Sequence, residues 1–432
     1  MPSLSVGAAE GGVLQTALAK AHWRLIPLLA VGYLVAFMDR TNISFAAESM
    51  NRQLHFTQHV YGLGSGLFFL SYALCEIPSN RLLLRFGARR WLARIMLTWG
   101  LLAMAMALIH SVLSFYGMRL LLGCAEAGYF PGVIYYLSQW FPAAQRARAI
   151  SLFYISFPLS TVLMGLAAGS LLNLGGRWGL SGWQWLFLME GLPAVLIGVC
   201  FWFALPDSPA KAAWLNEAER EAITAGLADE RGTAGHADLM LVLREPRVWV
   251  LGVFAFCMLG TSYAVTFFLP LFLSGGMHWT QRGIGYLIAA FGVAGALAMV
   301  LTAAHSDRSG ERRWHVAGPM LVVAVLTLAA ANPRSGIAAA LAMLLFIVPY
   351  AAMQGPMLVL ASQLCRGENA ALAIAVFNML GIFGGFVGPL WMGWMRELTG
   401  GYAAGVGALC APCVLGAGCI LWLTRKAALV QA

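Results

Sequence analysis

Charge is scarce in this chain. Only 10% of its 432 residues are Asp, Glu, Lys or Arg, against roughly 25% in a soluble domain. Lysine is nearly absent, at Lys20, Lys211 and Lys426 only, and arginine carries the rest of the positive charge. Apolar residues make up 60% of the chain and mean hydropathy is +0.76. A soluble protein of this length could not hide so much apolar surface in one or two cores, and most helical segments lack the polar stripe that a soluble helix needs. Chemistry-bearing motifs are missing as well. There is no His-rich metal set, no Gly-x-Ser-x-Gly elbow and no phosphate-cradling Gly-x-x-x-x-Gly-Lys, so an enzyme is not expected. Residues 1–23 hold no apolar h-region, so the first long apolar segment is expected to serve as the insertion signal. The eight Cys fall mostly inside apolar runs, and the Cys410/Cys413 pair has no companion ligands. They read as small buried apolar residues. The net charge of +9 invites a nucleic-acid partner, but the basic residues sit in short loops between apolar runs, and no such partner is expected.

What is present is a series of long apolar runs. Twelve are long enough to cross a hydrocarbon core of about 30 Å, near 25–47, 60–82, 91–110, 113–139, 147–172, 184–205, 248–273, 282–304, 314–332, 336–361, 369–394 and 401–424. The expected fold is an all-α membrane protein of two six-helix halves, 24–205 and 248–424, flanked by cytoplasmic segments 1–23 and 425–432. With the N-terminus inside, the outer loops hold five basic residues, Arg52, Arg177, Arg282, Arg334 and Arg396, while Arg40 and Arg119 fall within segments. The remaining 20 of the 27 Lys and Arg lie on the inner side, which supports cytoplasmic termini; the expected location is a bacterial inner membrane. The connection 206–247 is long, polar and slightly acidic. Ser208-Pro209 reads as a cap and first helical position, and Asn216 followed by Glu219 as a capping box, so a short amphipathic helix is expected there.

The halves repeat. Arg85-Phe86-Gly87-Ala88-Arg89-Arg90 follows the second segment and Asp307-Arg308-Ser309-Gly310-Glu311-Arg312-Arg313 follows the eighth. Duplicated six-helix halves are a transporter architecture. These loops resemble the inner-gate signature of the major facilitator superfamily, with Leu84 where the first copy usually has an acid. Further stretches resemble its anion:cation symporter branch, of the tartrate, phthalate and hydroxyphenylacetate type: Met38-Asp39-Arg40-Thr41-Asn42, Glu76-Ile77-Pro78-Ser79-Asn80, Ala125-Glu126-Ala127-Gly128-Tyr129-Phe130-Pro131-Gly132 and Gly384-Gly385-Phe386-Val387-Gly388-Pro389. The resemblance implies an organic-anion carrier with gates at Arg85, Gly87, Arg89, Asp307, Arg308, Gly310 and Arg312. It implies substrate-facing Tyr72 and Asn378, with Tyr263 and Gln354 as further options. Ile382 stands where the family has a second Asn in segment eleven, and Phe157-Pro158 where sugar-acid members have a polar residue, which implies a less polar pocket.

Ionisable groups inside the segments carry the mechanism expected from the residues alone. A charge in mid-bilayer costs several kcal/mol unless it is paired or faces water. Asp39 and Arg40 lie about 21 Å from the inner end of segment one, and Glu126 about 20 Å from that of segment four, at 1.5 Å per residue. Arg119 precedes Glu126 by two turns, on the same face. Arg40 and Arg119 are expected to bind a carboxylate, because a guanidinium stays charged and pairs bidentately. Asp39 and Glu126 would compete for those arginines and release them on protonation, coupling a proton to the anion with no cofactor. Structural ion pairs are the alternative. Glu76 is expected to pair with Arg81, and Glu190 to be structural and close to the outer surface. Pro131, Pro158, Pro270, Pro349, Pro356 and Pro389 are expected to kink their helices. The expected function is import of a small carboxylate by proton symport in a monomer embedded in lipid. An exporter of the same fold and a non-transporting sensor are the other readings.

Overall fold

The computed structural model describes residues 3–231, 239–277, 279–332, 336–364 and 370–430. Arg334, Cys365 and residues 366–369 lie outside them. The described residues form helices, turns and bends and no strand, as lipid requires of a backbone that must satisfy its own hydrogen bonds. Twelve helices are long and apolar enough to cross a membrane. Spans 1 to 6 are Gly12–Leu54, Gln58–Phe86, Ala88–Leu108, Val112–Ser138, Leu152–Leu172 and Gly182–Ala204. Spans 7 to 12 are Pro246–Gly275, Gln281–Ser309, Arg313–Ala330, Gly336–Ala361, Leu372–Thr399 and Ala403–Arg425.

Span 1 departs from expectation. It belongs to one helix, Ser3–Leu54, so the described part of 1–23 continues the span instead of standing apart. The reason lies in the linker. Ala17, Leu18 and Ala21 are buried where this helix packs against Glu217–Arg231, and Lys20 Nζ donates to Glu219 Oε1 at 2.6 Å. The expected capping box is present, with Glu219 N donating to Asn216 Oδ1 at 2.8 Å and Asn216 N to Glu219 Oε2 at 3.0 Å. The Lys20 bond, followed by the Asn216 amide, holds the Glu219 carboxyl below the usual glutamate range. The face carrying this connection is called here the linker face, and the face of the 54–58 turn the far face.

Glycines at positive φ end two equivalent helices. Gly87 (φ 88°) closes span 2 and Gly310 (φ 68°) closes span 8, where a side chain would be strained. The same device at the same place in each half is the structural counterpart of the repeated loop.

Four breaks interrupt the spans that surround the centre. Helical segments separate at Gly128 in span 4, at Ile155 before Ser156–Leu172 in span 5, and at Phe346 and Met353 in span 10. Each is followed three residues later by a proline, namely Pro131, Pro158, Pro349 and Pro356. Proline lacks the N–H for the carbonyl four residues back and crowds it. In span 4 that carbonyl is Ala127 O, and it accepts from Ser79 Oγ at 2.6 Å. The Ser79 oxygen in turn accepts from Trp91 Nε1 at 3.0 Å. The break thus falls immediately after Glu126 and is fixed from spans 2 and 3.

The halves meet along two seams, span 2 against span 11 and span 5 against span 8. Small residues allow the contact. A Cβ on Gly165 would lie 2.5 Å from the Gly285 carbonyl oxygen, and one on Gly62 would lie 2.5 Å from that of Pro389. At the far face the halves are also bonded. Gln281 donates to Glu48, His59 N to Glu397 Oε2 at 3.2 Å, and Tyr61 Oη to Phe267 O at 2.9 Å.

Candidate anion site at the centre of the bundle

Behind the closed far face lies a cavity with about 900 Å³ of empty space, part of it open to solvent, formed by spans 1, 5, 7, 8 and 10. Among the described residues, none that lines it is charged. Phe37, Phe45 and Phe157 contribute rings from the first half, and Tyr263, Phe346 and Tyr350 from the second. Polar groups are hydroxyls such as Thr41, Ser160, Ser262 and Thr266.

Arg40 stands at the edge of this cavity. Its guanidinium lies 5.2 Å from the Phe37 ring centroid, 5.0 Å from Tyr72 and 5.8 Å from Phe68, and Tyr263 faces it from span 7. These ring faces attract a cation. One carboxylate neutralises it. Arg40 Nε and Nη2 both reach Glu126 Oε1, at 2.7 and 2.6 Å. The Arg40 side chain keeps 13% of its surface exposed, whereas that of Glu126 keeps none. Glu126 Oε2 has no hydrogen-bond partner. The pair is therefore half-made on the carboxylate side: both guanidinium bonds fall on one oxygen, the other oxygen keeps an open acceptor among the described residues, and the guanidinium, also bonded to Tyr72 and Tyr263, keeps some exposed surface.

The other expected site residues separate into groups. Asp39 does not join Arg40 or Arg119. Its carboxylate accepts from Trp99 Nε1 at 2.7 Å and Asn42 Nδ2 at 3.0 Å, buried inside the first half. Consecutive helical residues point about 100° apart, so when Arg40 faces the cavity its neighbour faces span 3. Arg119 does not line an anion path either. It is 2% exposed, donates to Gly64 O and Ser65 O of span 2, each at 3.2 Å, and lies 4.9 Å from the Phe68 ring centroid. It shares a helix face with Glu126, but span 2 covers that face. The expected contest of two acids for two arginines is reduced to the single pair Arg40–Glu126.

Tyr72 is buried beside Arg40. Asn378 Nδ2 donates to Glu76 Oε1 at 3.4 Å, so Glu76 bonds across the halves, and Arg81 is left exposed. Tyr263 lines the cavity, and Gln354 is buried next to Tyr350. Glu190 is not near the surface. It is 4% exposed and lies beside Asp39 and Asn42. Of the loop residues, Arg89 Nε donates to Trp202 O at 2.8 Å and Arg312 pairs with Asp307 at 3.0 Å. Arg85 and Arg308 are exposed. Residues missed from the sequence were mostly ring and hydroxyl positions on the cavity wall. Only the Phe157-Pro158 departure signalled them, since apolar residues in a membrane helix carry no mark of which face they serve.

The profile of the Major Facilitator Superfamily matches residues 29–389. A protein of Agrobacterium vitis, provisionally named a tartrate transporter, is 41% identical over 393 residues, covering 90% of this chain and 87% of its own. A provisionally named metabolite transport protein, NicT of Pseudomonas putida, is 38% identical over 388 residues, covering 88% of each chain. The crystal structure of a D-xylose–proton symporter superposes with a TM-score of 0.73 at 17% identity, covering 93% of this chain and 97% of the symporter. That likeness concerns the fold. Architecture and sequence agree that this chain is a multi-pass membrane transporter belonging to the major facilitator superfamily.

Proposed function

We propose that the protein imports a small organic carboxylate together with a proton, by alternating access at the central cavity. The observation that carries this reading is the half-made Arg40–Glu126 pair at the cavity edge. An incoming carboxylate completes the guanidinium's hydrogen bonds, and guanidinium–carboxylate bonds are among the stronger ones available in a site shielded from water. It competes with Glu126 for the same donors. A proton placed on Glu126 Oε2, the unpartnered oxygen, removes that competition and the repulsion between the two carboxylates. Anion and proton are then bound together, and no cofactor enters the cycle. Tyr72 and Tyr263 flank the guanidinium and orient the substrate. The far-face contacts hold one gate shut, and the two glycine seams supply the surfaces on which the halves rock. Arg85, Arg89, Asp307 and Arg312 belong to the gate on the linker face. That face is cytoplasmic in this reading, because the basic loops gather there, in a bacterial inner membrane with the protein as a monomer.

The test is binding of carboxylic acids to purified protein, by thermal shift at two pH values. An acid whose affinity rises as pH falls, with the response lost in Arg40→Ala, is expected. Undiminished binding by Arg40→Ala would rule the site out.

A further inference from the structure

The cavity wall narrows the substrate class, on the assumption that the anion reading above holds. The charges around the cavity come first. Arg40 is the cation at its edge. Arg119, two turns from Glu126 along span 4, is sealed against span 2 carbonyls, its guanidinium donating to Gly64 O and Ser65 O. Glu126 and Glu76 supply negative charge on the Arg40 side, and among the described residues none that lines the cavity is charged. A second carboxylate on the substrate would be buried opposite no cation, which is costly.

Hydroxyl chemistry points the same way. Thr41 Oγ1 donates to Phe37 O at 3.0 Å, Ser44 Oγ to Thr41 O at 2.7 Å, and Ser160 Oγ to Phe157 O at 2.6 Å. These three donors are spent on their own helices and Ser262 bonds to Tyr350, which leaves Thr161 and Thr266 among the Ser and Thr hydroxyls of the wall, fewer than a polyhydroxylated acid needs to replace the water it loses. The remaining surface is aromatic and comes from both halves, with Phe37 and Phe157 in edge-to-face contact at 4.8 Å on one side and Tyr263 and Tyr350 on the other. Rings prefer such offset and edge-on partners.

We infer that the substrate is an aromatic monocarboxylate, its carboxylate on Arg40 and its ring between Phe37 and Phe157 of the first half and Tyr263 and Tyr350 of the second. A ring held by both halves also gives the carrier a reason to close only when loaded, because neither half alone encloses it. Small hydroxy-diacids and sugar acids are poor ligands for this cavity, whatever the cargo named for a relative.

The experiment is calorimetric titration of the full-length protein in detergent with benzoate, 4-hydroxybenzoate, phthalate, L-tartrate and D-gluconate. The two aromatic monoacids are expected to bind at least about tenfold more tightly than tartrate or gluconate, and phthalate more weakly than benzoate. Phe157→Asn should weaken benzoate about tenfold while Phe157→Tyr, which keeps the ring, stays near wild type. Tartrate or gluconate binding as tightly as benzoate would overturn the inference, as would unchanged benzoate affinity in Phe157→Asn. If that tartrate binding still needs Arg40, the carboxylate reading survives the loss. If no acid of either kind responds to Arg40→Ala, both fall together.

Discussion

Glu126→Gln isolates the coupling step. In the structure one carboxylate oxygen takes two guanidinium hydrogen bonds while the other takes none. The amide keeps an oxygen at the first position and loses only the charge, so it imitates the protonated state. A hydrogen bond to a charged group is worth about 1.5–3 kcal/mol and a neutral one about 1. An incoming anion then faces a competitor weaker by about 1–3 kcal/mol, equivalent to about 5- to 150-fold in affinity. The sign follows from proton linkage. In the proposed cycle, wild-type binding takes up one proton, so affinity is expected to rise as pH falls, by up to about tenfold per pH unit. In Glu126→Gln the slope flattens, and binding at about pH 8 becomes as tight as wild-type binding at low pH. The assay is calorimetric titration across that range, paired with proteoliposomes measuring exchange and net accumulation. The variant should exchange labelled acid and fail to accumulate it under a proton gradient. A wild-type pH slope in Glu126→Gln would refute the assignment of the proton to this residue.

Other outcomes follow from the same geometry. Asp39→Asn removes a charge from the Trp99 and Asn42 hydrogen bonds and should cost about 1–3 kcal/mol, read as a lower Tm in detergent, while Arg40-dependent anion binding persists. Gly165→Leu puts a side chain against the Gly285 carbonyl and Ala289 amide, so spans 5 and 8 must part. Net transport should drop by more than about tenfold, and Ser44→Cys should label faster from the far face with an impermeant maleimide; unchanged labelling would show that this seam is not the gate. Glu219 is held below the ordinary carboxylate range by Lys20, so its bond to the first helix is fully present above about pH 4.3 and is lost as pH falls through the lower folded value. Glu219→Gln should expose the 206–247 connection to protease at neutral pH, with little change in Tm, since Lys20 is partly solvated.

The sequence by itself determined the membrane environment, the number of spans and the duplication. Apolar runs of this length have no other stable fate, and the repeated loops after spans 2 and 8 mark equivalent positions that both end on a glycine at positive φ. That Arg40 and Glu126 lie at one depth was also legible, and the structure pairs them, because charge inside an apolar run is rare enough to be conspicuous. Depth followed from counting residues along an axis, but direction around the axis did not. Asp39 and Arg119 sit at depths fitting a binding site, yet the rotation of spans 1 and 4 turns them toward Trp99 and the span 2 carbonyls. Glu76 meets Asn378, 302 residues away in sequence, instead of Arg81 five residues further along the same helix. The cavity wall depended on tertiary structure most of all. In lipid every face of a helix is apolar, so hydrophobic periodicity does not tell Phe157, which lines the cavity, from Leu159, which is exposed on the outside of the bundle. Only the packing of helices against one another makes that distinction.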